Sequence, residues 1–352
     1  MKRLLVLIAF AAAQITAALS AAPLWGATVS VELISDRGMQ STAAQQWLQL
    51  LSDAGAVNVR LRGGRPGDEP RIEDLSGRGA EIYKLTGVLT SRDELIFPGA
   101  KFGLRDRQKL RDYFADLKAD GAAAITAPKG MFGLTEPQFK SVFDDLSTPL
   151  TIDTEGRPLE EVLSDAAARL RLRLSVEPRA AGVLRSAGPV QGDFGPLSAG
   201  AALAGMLRGA GLALRPDKPR GEEVQHLVFV AGEAARKDSD GAWPVGWPVE
   251  TSPREAAPIL FEFLNVEVDG FKLAEAMGAI TPRLGMPVLW DTRALAEKKI
   301  DPATTPVQLA RTRTYYKRLL DKLLFQARLK ANLRVDEVGK AFLYISTSGA
   351  KL

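Results

Sequence analysis

The sequence predicts an α+β protein of three small modules in tandem, and three observations support that prediction. Short runs of alternating apolar residues are interspersed with longer runs of helical spacing, as expected when strands and helices follow one another. Two stretches of about 85–90 residues repeat one order of elements, and that length suffices for a separate core. The chain contains no cysteine, so each module needs a buried apolar core in place of disulfides.

The amino-acid composition excludes several classes of chemistry. Without cysteine, the chain has no thiolate metal site and no cysteine nucleophile. It has one histidine in 352 residues, so most acid–base and metal sites lack their usual side chains. The sequence also lacks nucleotide-binding glycine loops and the Gly-x-Ser-x-Gly turn of serine hydrolases. We therefore predict a protein that is not an enzyme, with no catalytic residue, no cofactor and no metal.

Residues 1–22 have the layout of a secretory signal peptide. Lys2 and Arg3 form a positive start, residues 4–19 are mostly apolar, and small residues at 20–22 provide a cleavage site. The apolar stretch is too short and too polar for a comfortable membrane span, which needs about 20 apolar residues; an uncleaved anchor is the alternative. We expect the protein in an exported space, a bacterial periplasm or cell envelope, with no transmembrane span once the signal is removed.

The net charge is too small to favour a nucleic-acid partner. The formal charge of the whole chain is +4, and removal of Lys2 and Arg3 with the signal leaves +4 − 2 = +2. Proteins that bind nucleic acid usually present a strongly basic surface to the phosphates. We therefore expect no nucleic-acid partner.

Residues 28–125 are predicted to form the first α+β domain. Alternating apolar residues predict four strands, over residues 28–34, 57–61, 82–89 and 94–97. Helical spacing predicts a helix that starts near Ala43, with Trp47 on its apolar face, and a second helix that Asp106 caps. The stretch 62–79 is rich in Gly, Arg and Pro and is predicted to be a loop.

Two connectors separate the domains. Residues 130–147 are predicted to be a helical connector, because Thr135 and Gln138 resemble a capping box ahead of a short apolar face. Residues 238–258 contain four prolines and two tryptophans. Because proline neither extends a helix nor feeds a sheet, this second connector is predicted to be an extended linker.

The most informative feature is an internal repeat between residues 148–234, which we name module A, and residues 259–348, which we name module B. Leu159 matches Leu273 at an offset of 273 − 159 = 114, and one register joins a strand, a glycine turn, a helix and a second strand. The second halves correspond after different loops. Each copy is predicted to be a β-α-β-loop-α-β-β unit. The same offset matches Ile152 with Val266, Gly156 with Gly270, Leu163 with Met277, Leu170 with Leu284 and Val176 with Trp290.

This pattern resembles the short N-terminal domain of secretins and TonB-dependent receptors. Module A carries it in PLEEVLSDAAARLRLRLSVEP and LSAGAALAGMLRGAGLALRPD, and module B in NVEVDGFKLAEAMGAITPRLGMPVLWD. The resemblance implies an envelope interaction module that docks protein partners or signal peptides, and such docking can use exposed sheet edges. Module A departs from the pattern in a long loop over residues 179–195, and module B in an insertion over residues 294–312. No barrel domain follows in the sequence, so we expect neither a secretin pore nor an outer-membrane receptor.

The remaining acid–base groups favour structural interpretations. His226 alternates with Val228 and Val230, and it is predicted to be an edge or partly exposed strand residue. A pair of carboxylates could serve a glycosidase or muramidase. Adjacent acidic residues point in different directions on a helix, however, and are predicted to be solvated surface. These pairs are Glu160/Glu161, Asp144/Asp145 and Glu222/Glu223.

Two features remain as candidate interaction surfaces. Residues 311–333 are predicted to be one basic helix, which either binds an anionic polymer or an acidic partner or merely solvates its own face. The tryptophan pair of the linker either stacks on a sugar or anchors a partner, or it pins the linker to its own module. We favour the solvated face and the pinned linker. The residues of these surfaces are Arg311, Arg313, Lys317, Arg318, Lys322, Trp243 and Trp247.

The sequence therefore predicts an exported, non-enzymatic protein-interaction or scaffolding protein of the cell envelope. Its expected partner is an envelope protein, with an anionic polymer or a glycan as the alternative ligand. The competing hypothesis is a glycan- or peptidoglycan-binding protein, or a carboxylate-dependent cell-wall hydrolase. Tryptophans exposed side by side would favour glycan binding, and two carboxyls about 5–9 Å apart in a cleft would favour the hydrolase. An unpaired strand edge would favour docking.

Overall fold

A computed structural model describes residues 27–35, 41–77, 80–232 and 241–347. The chain is a mixed α+β protein, as predicted. It divides into two compact units, Met1–Thr126 and Ala127–Leu352. The predicted signal peptide, residues 1–22, lies outside the described residues. Among the helices that are described, none is long and apolar enough to cross a membrane.

The first unit contains a six-stranded sheet and two helices. β1 is parallel to its two neighbours, β2 and β4, while β3 and β5 pair antiparallel with β4 and β6 pairs with β5. The four predicted strands and both predicted helices are present. The elements are β1 (Thr28–Ser35), α1 (Ser41–Asp53), β2 (Val57–Gly63), β3 (Arg71–Asp74), β4 (Ile82–Leu89), β5 (Leu95–Phe97), β6 (Ala100–Phe102) and α2 (Arg107–Thr126).

The loop predicted over residues 62–79 is wrong at Arg71–Asp74, which forms β3. Ile72 packs against the core of the unit while its neighbours are charged. One apolar residue gives no alternation to recognise, so pairing with β4, rather than local pattern, makes this segment a strand.

The core of the first unit lies on one face of its sheet. Val29, Val31 and Leu33 alternate inward from β1 and pack in one cluster with Trp47 of α1 and Phe114 of α2. Burial of these side chains supplies the main stabilisation of the unit.

The polar positions of the same strands carry a network of charges. Glu32 on β1 pairs with Arg62 on β2 at 3.3 Å and with Lys84 on β4 at 3.4 Å. Arg62 also donates two hydrogen bonds to Asp68, and this guanidinium holds the pKa of Asp68 well below its usual range. These pairs are only half-buried, and ion pairs near the surface contribute little to stability.

The second unit contains modules A and B and the segments that flank them. Its elements are α3 (Glu136–Leu146), α4 (Leu159–Ala167), β7 (Leu174–Val176), α5 (Pro178–Ser186), α6 (Ala199–Gly209), β8 (Leu212–Asp217), β9 (Gln225–Val230), β10 (Trp247–Pro248), α7 (Pro253–Ala256), β11 (Phe263–Lys272), α8 (Leu273–Leu284), β12 (Val288–Trp290), α9 (Thr292–Glu297), β13 (Pro306–Tyr315), α10 (Tyr316–Gln326), β14 (Leu329–Val335) and β15 (Ala341–Thr347), with 3₁₀ turns at Met131–Gly133 and Pro258–Phe261.

Modules A and B contain three strands in the same order and with the same directions. In module A the order is β7-β9-β8, with β7 and β9 parallel and β8 and β9 antiparallel. In module B the order is β12-β15-β14, with β12 and β15 parallel and β14 and β15 antiparallel. A repeated unit would produce this agreement, and the repeat itself stays a prediction.

The first strand that the repeat predicts for each module exists only in module B. There it is β11, which pairs antiparallel with β13. In module A the residues around Ile152 form no strand, and nearby Pro149 makes only an isolated bridge to Ser198. β13 lies largely in the insertion that module A lacks, so the matching segment of module A has no strand to pair with.

The loop predicted over residues 179–195 is wrong at its start, because Pro178–Ser186 forms α5. Pro178 takes the first helical position, where its missing N–H costs nothing. Ala180 and Leu184, four residues apart, are both buried. Two apolar residues at one helical spacing are a weak indication of a helix in a sequence, because several glycines and arginines surround them.

The prediction of an extended linker over residues 238–258 is wrong in its second half. Trp247–Pro248 forms β10, which pairs with β14. Pro253 begins α7 and Pro258 begins a 3₁₀ turn. Ser252 caps α7, since its hydroxyl accepts from the amide of Glu255 at 3.3 Å. Proline excludes a helix interior but suits a helix start, and these two prolines occupy starts.

One apolar core joins module A to module B. Leu203 and Met206 of α6 lie in the same cluster as Phe342 and Tyr344 of β15. Leu343, between those two residues, faces the opposite way into a second core with α8 and α10. The module B sheet therefore packs on α6 of module A with one face and on its own helices with the other.

Candidate interaction site

Trp243 and Trp247, the two candidate interaction residues of the linker, lie in an aromatic cluster. Trp243 stacks on Phe132 with 5.7 Å between ring centroids and meets Trp247 edge-on at 5.4 Å. Phe143 contacts both indoles, at 6.2 and 5.9 Å. Trp243 is 3% exposed and Trp247 is half-buried. This placement is that of a pinned linker, and the side-by-side exposure that glycan stacking requires is not met.

Both indole nitrogens donate to a buried carboxylate, Glu337. Oε1 of Glu337 accepts from Nε1 of Trp243 at 2.6 Å and from Nε1 of Trp247 at 3.2 Å. Oε2 accepts from the amide of Ala201 at 3.1 Å and from the hydroxyl of Ser198. Burial raises the pKa of Glu337 above its usual value, although these four donors favour the charged form.

Glu337 and Asp336 cap the first turn of α6. The amide of Ser198 donates to Oδ2 of Asp336 at 3.0 Å. A Cβ atom at Gly200 would lie 2.4 Å from Oε1 of Glu337, so only glycine allows this approach. Carboxylates are favourable at a helix N-terminus because the first amides lack partners inside the helix. We name this group, which comprises Ser198, Trp243, Trp247, Asp336 and Glu337, the N-terminal clasp.

A second buried carboxylate holds the other end of α6. Oδ2 of Asp291 accepts from Nε of Arg208 at 3.0 Å and from the hydroxyl of Ser346 at 2.9 Å. Its Oδ1 accepts from the amide of Ala294 at 3.0 Å and so caps α9. Asp291 is 1% exposed. Both ends of a module A helix are therefore held by acidic side chains of module B.

His226 is fully buried on β9, the central strand of its sheet, so the predicted edge position is wrong. Its Nε2 lies 2.8 Å from Oδ2 of Asp145, which is also fully buried. The prediction of a solvated surface is therefore wrong for Asp145. The acids Asp144, Glu160, Glu161, Glu222 and Glu223 are exposed, as predicted.

Asp145 links three segments of module A and its flank. Besides facing His226, its carboxylate accepts from the backbone amides of Arg171 at 2.8 Å and Leu172 at 3.0 Å. Burial acts to raise the pKa of Asp145, but these hydrogen bonds outweigh it and the pKa lies below its usual value. Nδ1 of His226 has no hydrogen-bond partner. Within the described ranges, no group of three or more His, Asp or Glu side chains is placed to hold a metal.

The basic helix predicted over residues 311–333 is wrong. Residues 311–315 end β13, residues 316–326 form α10, and β14 begins at Leu329. The pairing of β13 with β11 shifts between Leu309 and Thr312, which marks a bulge. Beyond it Thr312 and Thr314 turn inward, and Thr314 is 4% exposed. The apolar stripe of α10 is real, but alternating threonines ahead of it belong to a strand.

The five predicted basic residues consequently lie on two elements. Arg311 and Arg313 are exposed on β13, two residues apart and so on one face. Lys317, Arg318 and Lys322 lie on α10, where Nζ of Lys317 pairs with Asp321 at 2.7 Å.

A free strand edge lies on β14, the strand that α10 packs against. β15 pairs with one side of β14 along its full length, whereas β10 pairs with the other side only at Arg334 and Val335. In the part of the chain that is described, no strand pairs with that side at residues 329–333. A groove of about 490 Å³ runs beside this edge, and we name the two together the β14 groove. Its lining includes Leu260, Leu320, Leu333 and Leu343, with Lys317, Asp321 and Lys330 as charged members.

A line of arginine and aromatic side chains adjoins the β14 groove. Tyr315 stacks on Phe261 at 5.9 Å and meets Phe263 edge-on at 5.9 Å. The guanidinium of Arg254 lies 5.1 Å from the ring centre of Phe261, and that of Arg313 lies 5.5 Å from the ring centre of Phe263. We name these five residues the arginine–aromatic ladder.

Comparison with known proteins found no protein-family model, no curated protein and no solved structure that matches the chain. The resemblance to the short N-terminal domain of secretins and TonB-dependent receptors therefore stays a prediction.

Proposed function

We propose that this protein is a non-catalytic docking or scaffolding protein of the bacterial cell envelope that binds an extended segment of a protein partner along β14. The observation that carries the proposal is the unpaired edge of β14 at residues 329–333, beside an apolar groove. A partner segment that adds as a strand satisfies the free backbone groups of this edge. Every second side chain of the segment then enters the groove.

β10 supports this mode of binding. It is a two-residue antiparallel addition to β14 at Arg334 and Val335, on the same side of the strand as the free edge. A partner strand continues that row of hydrogen bonds over residues 329–333, a typical length for a short strand.

The buried acids already accept hydrogen bonds within the fold, and this favours docking over hydrolysis. Asp145, Asp291 and Glu337 each accept hydrogen bonds that hold elements of the fold together. The carboxylate that lines the β14 groove, Asp321, is paired with Lys317. The proposed envelope location rests on the signal-peptide pattern of residues 1–22.

Site-specific photo-crosslinking in cells tests the proposal. A photoreactive amino acid replaces Lys330, which is exposed and lines the groove, and a control probe replaces Glu222 in an exposed loop. We expect the Lys330 probe, and not the Glu222 probe, to join the protein to one defined segment of an envelope protein. Mass spectrometry identifies that segment, which should alternate apolar residues. No adduct at Lys330, or adducts with glycan fragments alone, would reject docking and favour the glycan-binding hypothesis.

A further inference from the structure

The arginine–aromatic ladder presents exposed guanidinium groups that form no ion pair with the described part of the chain. Arg254 and Arg313 are exposed, as is Arg311 on the same face of β13 as Arg313. Within the described ranges, none of these three guanidinium groups has a hydrogen bond or an ion pair. Glu255 is occupied in capping α7, and the other acidic residues near the three arginines are Glu262 and, opposite the bulge of β13, Glu267 on β11. The ladder and Arg311 therefore carry three arginines against two uncommitted carboxylates.

Ring contacts hold two of these arginines in place while their N–H groups stay available. Each guanidinium of the ladder lies over an aromatic ring, at 5.1 Å for Arg254 and 5.5 Å for Arg313. Stacking uses the flat face of the guanidinium and leaves its edge free to donate a forked pair of hydrogen bonds. Phe263 is 66% exposed between them, which is unusual for so large an apolar side chain.

We infer that the arginine–aromatic ladder binds an acidic segment of a protein partner, with carboxylates on Arg254, Arg311 and Arg313 and an apolar or aromatic side chain on Phe263. Planar carboxylates match the arginine forks, and an ordered arginine loses little side-chain entropy when it binds one. Phe263 is the exposed ring of the ladder and suits one partner side chain, whereas an interfacial membrane surface needs a broad apolar face.

The position of the ladder links it to the β14 groove, so this inference rests on the proposed function. Pro253 and Leu260 line the groove, and the residues that follow them, Arg254 and Phe261, belong to the ladder. A partner whose apolar part adds to β14 thus carries its acidic part onto the ladder. The inference defines the chemistry of that partner: an alternating apolar stretch next to a cluster of Asp or Glu with an apolar residue among them.

Binding of defined polymers to the full chain tests this chemistry directly. The probes are a random copolymer of glutamate and tyrosine, polyglutamate of similar length, dextran sulfate, and vesicles of phosphatidylglycerol. We expect the copolymer to bind more tightly than polyglutamate, because tyrosine supplies the contact to Phe263. We expect the double variant R311Q/R313Q to bind the copolymer at least about tenfold more weakly, since each charged hydrogen bond is worth more than the roughly 1.4 kcal/mol that gives a tenfold change.

Three variants distinguish specific recognition by the ladder from non-specific electrostatic attraction. R318Q/K322Q removes the same charge from α10 and should retain most of the binding. R311K/R313K keeps the charge but loses the forks, and its affinity should fall between those of the wild type and R311Q/R313Q. F263S should bind polyglutamate normally while losing the preference for the copolymer.

Two results would overturn the inference. One is equal weakening by R318Q/K322Q and R311Q/R313Q. The other is that dextran sulfate or the vesicles bind as tightly as the copolymer and that F263S does not change copolymer binding. This result would indicate a surface for polyanions or lipids instead. The variant A331K, placed in the β14 groove, separates this test from that of the proposed function. It should abolish crosslinking at Lys330 and leave copolymer binding intact.

Discussion

Modules A and B share a strand order, but they differ in whether the free edge of the outer antiparallel strand is covered. In module A this strand is β8, whose Leu214 carbonyl accepts from the amide of Trp243 at 2.6 Å and whose edge the turn Met131–Gly133 approaches. Pro216, within β8, has no N–H to offer a further strand. In module B the strand is β14, which is paired beyond β15 only at its last two residues. Module A thus has a protected edge, and module B has an open one.

The two modules also differ at their first strand, and the difference explains where the basic surface arises. Module B uses its insertion to build β13 against β11, and that ribbon displays Phe263, Arg311 and Arg313. Module A has no such ribbon, and its helix α6 is instead enclosed by module B at both ends. Helix α6 of module A therefore serves as a buried support, while module B supplies the candidate surfaces.

The largest expected effect comes from breaking the N-terminal clasp with Glu337→Ala. The change leaves the indole N–H of Trp243 and the amide of Ala201 without acceptors in a buried site. We expect the second unit to lose about 3–5 kcal/mol in the free energy of unfolding, as when one partner of a buried polar network is removed. Urea unfolding measures the loss, and Glu222→Ala, at an exposed acid, should change stability by less than about 0.5 kcal/mol. A loss below about 1 kcal/mol for Glu337→Ala would show that module A does not depend on module B in this way.

A smaller effect is expected from Gly200→Ala, because the new Cβ would lie 2.4 Å from Oε1 of Glu337. Overpacking of this kind costs about 1–3 kcal/mol. The matched control is Gly278→Ala in α8, where nothing lies within 4 Å of the added Cβ. There the better helix propensity of alanine should stabilise the protein by up to about 1 kcal/mol. Thermal unfolding that gives both variants the same sign of change would contradict the close approach at α6.

The pH dependence of stability should differ in sign between two of the buried carboxyls, Glu337 and Asp145. Burial raises the pKa of Glu337 above its usual value of 4.5, so the unfolded chain releases this proton at a lower pH than the folded chain. The contribution of Glu337 is therefore complete below pH 4.5 and is lost as the pH rises through its folded pKa. Asp145 has a lowered pKa, and its contribution is instead lost as the pH falls through the folded value. Glu337→Gln should remove the decline with rising pH; an unchanged profile in denaturant melts would refute this assignment.

Ala331→Lys at the open edge of β14 is expected to have the smallest effect on stability. It should have the clearest effect on binding of a partner. A lysine on an edge strand opposes the addition of another strand, as edge lysines do in natural sheets. Because Ala331 lies only partly buried in the groove wall, unfolding should change by no more than about 1 kcal/mol. Crosslinking from Lys330 measures binding. Full crosslinking in this variant would mean that the partner does not use the strand edge.

Local pattern predicted those parts of the fold whose signal lies within a few residues. Alternation at Val29, Val31 and Leu33 predicted β1, and the spacing of Thr135 and Gln138 predicted the start of α3, where the amide of Thr135 donates to Gln138 at 3.0 Å. β3, α5 and β13 were missed or misassigned. Pairing with a strand distant in the sequence makes β3 and β13 strands, and the burial of only two residues makes α5 a helix.

The candidate site was harder to predict for a related reason. Trp243 and Glu337 are 94 residues apart in the sequence, and Ser198 and Glu337 are 139 apart. Nothing in the sequence distinguishes a buried carboxylate from an exposed one, so neither the N-terminal clasp nor the contacts of Asp291 leave a local signal. Arg311 and Arg313 were found from charge alone, whereas Arg254 and Phe261 join them only through the fold. A glycine in the first turn of α6, where alanines surround it, is the one hint that something approaches the helix at Gly200.

We expect the open edge of β14 to bind a partner and the equivalent, protected edge of β8 not to bind one. The difference is tested directly by paired photo-crosslinking in the same cells, with the probe at Lys330 on β14 in one strain and at Ala213 on β8 in the other. We expect a discrete adduct with an envelope protein from Lys330, lost in A331K, and none from Ala213. Adducts of the same protein and in equal amount from both positions, or an adduct from Ala213 alone, would contradict this expectation.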